Sequence, residues 1–80
     1  MKHYIILTDT NSRQYLYEIN PAFSVKTAEK EFIITQENPN VLEFSNIIDK
    51  KISFVIDNKA VFNPNYIVAV QYQEWPDDAH

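Results

Sequence analysis

At 80 residues, with hydrophobic side chains at 45% and aromatics at 14%, the chain has room for one small core and is too apolar to stay disordered. A cysteine count of 0 removes disulfides and thiolate metal sites. The net charge of −4, with Arg13 the one arginine and Lys50-Lys51 the one adjacent basic pair, argues against a sequence-independent grip on phosphates. A glycine count of 0 excludes the Gly-rich loops that cradle nucleotides.

In chain order, residues 2–8 (KHYIILT) place His3, Ile5 and Leu7 on one face and Tyr4 and Ile6 on the other. A strand apolar on both sides belongs in the middle of a sheet. The apolar run Tyr4–Leu7 is too short for a signal-peptide core or a membrane span, so a soluble, cytoplasmic protein is expected. Asp9-Thr10-Asn11-Ser12 reads as a turn, and residues 13–19 return as a strand with Tyr15, Tyr17 and Ile19 on one face.

Residues 24–33 (SVKTAEKEFI) satisfy helical spacing through Val25, Ala28 and Phe32, while residues 31–36 also read as a strand. The expectation is a turn or a single helical turn over 24–30, then a strand carrying Phe32 and Ile34 inward. Residues 40–48 can form a short helix, with a bulged strand as the alternative: Asn40 stands at the N-cap, Glu43 at the capping-box position, and Val41, Phe44, Ile47 and Ile48 share a face. Residues 51–57 and 60–62 read as a second hairpin turning at Asn58-Lys59. After Asn63-Pro64-Asn65 comes a final strand, with Val68, Val70 and Tyr72 facing one way and Ile67, Ala69 and Gln71 the other. Residues 1–75 are read as a single small β-rich domain and residues 76–80 as a frayed acidic tail.

The fold class expected is mainly β: a small curled antiparallel sheet or SH3-like barrel of five or six short strands, with one short helix near 40–48. VFNPNYIVAVQ, a strand, a tight turn and a last strand, resembles the closing part of SH3-like and Sm-like barrels, a likeness that covers about the last 25 residues. Because Gly is absent, asparagine and aspartate are expected to fill the positions with positive φ, and Asn11, 20, 38, 40, 46, 58, 63 and 65 fall nearly all in predicted turns. The abundance of Ile, Asn, Lys, Tyr and Phe matches AT-rich coding, and the chain is similar in general look to small uncharacterised phage and prophage proteins of low-GC bacteria.

For chemistry, the two histidines are His3, on an apolar strand, and His80, the last residue. No nucleophile, base and orienting group stand out, so no catalytic residue and no cofactor is implied. Asp77, Asp78 and His80 are metal-ligand types on a terminal tail, and no metal is implied either. The aromatics are the informative set: Tyr15 and Tyr17 on one strand, and Tyr66, Tyr72 and Trp75 around the last, are the candidate partner-binding residues. The function expected is a non-enzymatic protein-interaction module, of the kind by which a phage or mobile element modulates a host protein. The alternatives are a small single-stranded nucleic-acid-binding barrel, or a virion or assembly subunit. The partner expected is another protein, with nucleic acid and membrane disfavoured and a homodimer through a strand edge as a second route.

Overall fold

Residues 2–9 form the central strand of one of two sheets in a computed structural model that describes residues 1–77. This strand, β1 (Lys2–Asp9), pairs antiparallel with β2 (Gln14–Glu18) on one side and with the last strand, β7 (Ile67–Trp75), on the other. The second sheet has the order β4-β3-β5-β6, built from β3 (Ala22–Lys26), β4 (Glu31–Thr35), β5 (Phe54–Ile56) and β6 (Ala60–Phe62). A single helix, α1 (Val41–Asp49), and a 3₁₀ turn, Pro64–Tyr66, complete the described elements.

The chain is mainly β, as expected, but the curled sheet or SH3-like barrel is not formed. The two sheets are open and share a core without pairing to each other. Ile5 and Leu7 of β1, Val25 of β3, Ile34 of β4, Phe54 and Ile56 of β5, and Phe44 and Ile47 of α1 lie together in it. The strand, 3₁₀ turn and strand that resemble a barrel closure are present, yet β6 and β7 belong to different sheets. Closure would need free edges to meet. The helix packs against β7, and the loop before the helix occupies the edge of β4, where the Asn40 side-chain amide donates to the Ile33 carbonyl.

Residues 24–26 are strand rather than turn. Val25 and Phe32, seven residues apart, gave the helical spacing, but they are cross-strand partners of the β3–β4 hairpin. Its turn is held by Thr27, whose hydroxyl accepts from the Glu29 and Lys30 backbone N–H groups. The helix is present with its expected buried face, but Asn40 enters it in the left-handed region (φ 52°) and makes no side-chain cap. Glu43 pairs with Lys30 instead of reaching back to close a capping box.

Among the described residues five have positive φ: Ser12, Asn40, Lys51, Asp57 and Asn58. Only two of the eight asparagines serve in this way. Asp57 and Asn58, rather than Asn58 and Lys59, are the central residues of the β5–β6 turn, which the Lys59 N–H closes onto the Ile56 carbonyl. Lys51 follows the helix cap. Its N–H bonds to the Ile48 carbonyl while the Ile52 N–H reaches Ile47, the paired bonds of a Schellman ending. This ending takes residues 51 and 52 out of the strand expected there.

The last strand carries a β-bulge. Thr8 lies opposite Ala69 and Asp9 opposite Ile67, so Val68 has no partner and the side-chain alternation shifts by one. Ile67, Val70 and Tyr72 therefore all face the core, and Val68, expected on their face, is 58% exposed. At the chain end, the Asp77 carboxylate accepts from the Met1 ammonium at 2.9 Å. Asp78 and His80 lie outside the described residues.

Asp9 is buried where β1, β2 and β7 converge. Its Oδ1 accepts from the Asn11 and Arg13 N–H groups at 2.8 and 2.9 Å, and its Oδ2 from the Tyr15 hydroxyl at 2.9 Å. Burial pushes the carboxyl pKa up. The hydrogen bonds from Arg13, Tyr15 and Asn11, with the Arg13 charge, outweigh it and hold the pKa below its ordinary 3.8. The unfolded chain therefore takes up this proton first as acid is added. The contribution of Asp9 to stability is complete above pH 3.8 and lost as pH falls through the lower folded value. Urea titrations across that range are expected to show a midpoint that falls with pH, and an Asp9→Asn variant a lower midpoint with a flatter acid dependence. At the helix end, Lys51→Gly relieves a left-handed lysine and is expected to raise stability by about 1 kcal/mol at unchanged m-value in the same assay.

Candidate functional site

The register divides the three-stranded sheet into two faces. Tyr15 and Tyr17 of β2 lie opposite Leu7 and Ile5, and Tyr72 also lies opposite Ile5, so these three candidates point into the sandwich. Tyr15 makes an edge contact with Phe62 and donates to Asp9; that hydrogen bond, ahead of burial, raises its pKa. Tyr17 packs on Phe23 and Phe62, and burial raises its pKa. Tyr72 stacks on His3, lies 2.6 Å from His3 Nδ1, and donates to Glu74 at 2.8 Å. With that proton directed at Glu74, both contacts are hydrogen bonds when His3 Nδ1–H donates to Tyr72. Burial, then the bond to Glu74, raises the pKa of Tyr72.

Tyr66 and Trp75 stand elsewhere. Tyr66 is 62% exposed on the 3₁₀ turn, while its carbonyl accepts from Thr10 N–H. That turn is set as its sequence dictates: the Asn63 side chain accepts from Asn65 N–H, and Pro64 occupies the first position. Trp75 lies on the outer face of the three-stranded sheet. The five candidates thus fall into an inward group, an isolated turn residue and one outer-face aromatic.

The outer face was not assembled by sequence reasoning. Across it run Lys2, Tyr4, Ile6 and Thr8 of β1, flanked by Gln14, Leu16 and Glu18 of β2 and by Ala69, Gln71, Gln73 and Trp75 of β7. The Tyr4 and Trp75 rings are 4.7 Å apart, tilted at 47°, and Trp75 Nε1 donates to Gln73 Oε1 at 2.9 Å, which fixes the indole. Ile6 is 2% exposed although it stands outside the main core cluster; its partners across the sheet are Leu16, 44% exposed, and Gln71. Tyr4, Ile6, Leu16 and Trp75 therefore form a second apolar cluster bordered by glutamines. The one signal for it was the apolar run of β1, which is hydrophobic on both sides and so needs cover on both.

This face is almost uncharged in a chain of net charge −4: Lys2 and Glu18 are its charged members. Tyr4 and Trp75 are half-buried and Leu16 is exposed, and aromatics with depleted charge are what mark the centres of protein interfaces. Elsewhere, a cleft of about 320 Å³ opens between the sheets beside Tyr17, Phe23 and Ala60, with Glu18, Asp57 and Lys59 around it. No histidine, serine or cysteine lines it. Among the described residues no group of three or more His, Cys, Asp or Glu is gathered to hold a metal, and no helix is long and apolar enough to cross a membrane.

No protein-family model matches the chain, and no curated protein or solved structure matches it either.

The two faces predict different costs of truncation. Tyr4→Ala removes one wall of the Trp75 site and is expected to cost about 1 kcal/mol while shifting the single-tryptophan emission to the red. Tyr17→Ala opens the core between the sheets and is expected to cost about 3 kcal/mol with little change in emission. Urea unfolding followed by fluorescence reads both.

Proposed function

We propose that this chain is a non-enzymatic protein-interaction module that docks another protein on the outer face of its three-stranded sheet. The observation that carries this reading is the Tyr4–Trp75 pair set beside Leu16 on a face with few charges. Trp75 is already oriented by Gln73, so little side-chain freedom is lost when a partner covers it. Glutamine side chains at the border offer hydrogen bonds without the desolvation cost of a charge.

Acidic composition makes a protein partner a better match than single-stranded nucleic acid, because stacked bases bring phosphates that need cations and Lys2 is the only cation on this face. The test compares capture by the wild-type protein with capture by Trp75→Ala and Gln71→Lys variants, followed by affinity measurement on the retained protein. Trp75→Ala is expected to weaken binding roughly thirtyfold or more. A partner held equally well by wild type and both variants sinks the use of this face. Salt-sensitive quenching of Trp75 by oligonucleotides, with no protein retained, transfers the reading to nucleic acid.

A further inference from the structure

The free edge of β2 is self-complementary, and we infer that two copies of this chain pair through it, antiparallel, about a twofold axis at Leu16. The phase of the β1–β2 ladder supplies the geometry. Ile19 N–H donates to the His3 carbonyl and Asp9 N–H to the Arg13 carbonyl, so odd-numbered residues of β2 direct their backbone groups to β1. Gln14, Leu16 and Glu18 therefore direct theirs away from the sheet. Among the described residues no backbone bond outside the sheet ladders engages these groups.

The other sheet edges are less open. On β4 the Ile33 carbonyl accepts from Asn40 and the Thr35 N–H is held by the Asn38 carbonyl. The helix flanks β7, which is also bulged near its start, and β6 has 3 residues. β2 has 5 residues, no proline and no bulge, and so lacks the usual protections of an edge.

One register uses the whole edge. With Leu16 opposite its own copy, Gln14 meets Glu18 of the second copy at both ends. Each of these three facing pairs exchanges two backbone bonds, six in all. The carboxamide of Gln14 can then donate to the carboxylate of Glu18, and no like charges oppose. A slip of one residue sets the Tyr15 face against the Leu16 face. A slip of two runs one end of the ladder into a turn, at Ser12 or Asn20, and leaves outward groups unpaired. The centred register joins two sheets into one of six strands, with the two outer faces continuous and Leu16 against Leu16 at the middle. The contact is small, so the dimer is expected at roughly tens of micromolar and above.

This inference concerns the edge alone, and its test reads self-association without reference to any other partner. Sedimentation equilibrium is expected to show a reversible dimer, with Leu16→Lys, which sets two ammonium groups together while sparing the backbone, raising the dissociation constant at least about tenfold. Because the chain has 0 cysteines, single replacements then read the register. Under mild oxidation Leu16→Cys is expected to give a covalent dimer, Gln14→Cys and Glu18→Cys alone to give little, and an equimolar mixture of those two to give the mixed dimer. A monomer at roughly 1 mM, a dimer indifferent to Leu16→Lys, or equal cross-linking at all three positions would overturn the proposal.

Discussion

The hydrogen bonds to the Asp9 carboxylate hold together the place where the three-stranded sheet begins. One oxygen gathers the N–H groups of the following turn and the other fixes the Tyr15 ring, while Asp9 itself sits opposite Ile67. The next residue, Thr10, donates to the Tyr66 carbonyl and so ties the 3₁₀ turn to the same corner. Short range and long range meet here, because β2 starts 5 residues after Asp9 and β7 starts 58 residues after it. The direction in which both strands leave this corner decides which side chains meet the second sheet and which remain outside.

A glycine-free chain has to place ordinary residues in the left-handed region, and the five that do so among the described residues are distributed with a pattern. Ser12, Asp57 and Asn58 close hairpins, whereas Asn40 and Lys51 bracket the helix. Four of the connections between elements thus carry a local cost that packing offsets: Ile47 and Ile48 bury the helix, and Phe54 stacks on Phe62 across the β5–β6 hairpin. The stability of such a fold rests more on its core than on its turns.

Much of the local structure was legible in the sequence, and the reasons for the failures are particular. The β1–β2 and β5–β6 hairpins follow from alternating side chains joined by Asp- and Asn-bearing turns, and α1 from the spacing of Val41, Phe44, Ile47 and Ile48. Strand β3 was hidden because a hairpin partner seven residues away imitates two turns of helix. The split into two open sheets depends on which edges the helix and the loop before it cover, a tertiary outcome that no local pattern records. At the candidate site, Trp75 was visible as an aromatic but Tyr4, Ile6 and Leu16 were not recognised as its company. β1 is apolar on both faces, so its own pattern does not say which face becomes the core. The tyrosines at 15, 17 and 72 drew attention by type and turned out to be placed by parity.

The unpaired Val68 gives that parity a historical consequence. It acts as a single inserted count in β7 that lets both Ile67 and Val70 reach the core from one strand. A substitution along the outer side of β7 alters one surface position and leaves the rest in phase. The gain or loss of one residue between Val68 and Trp75 would exchange Val70 and Tyr72 for Gln71 and Gln73, turning interior and exterior over together. A lineage carrying this fold is thereby expected to diversify its surface by replacement while keeping the length of its final strand constant.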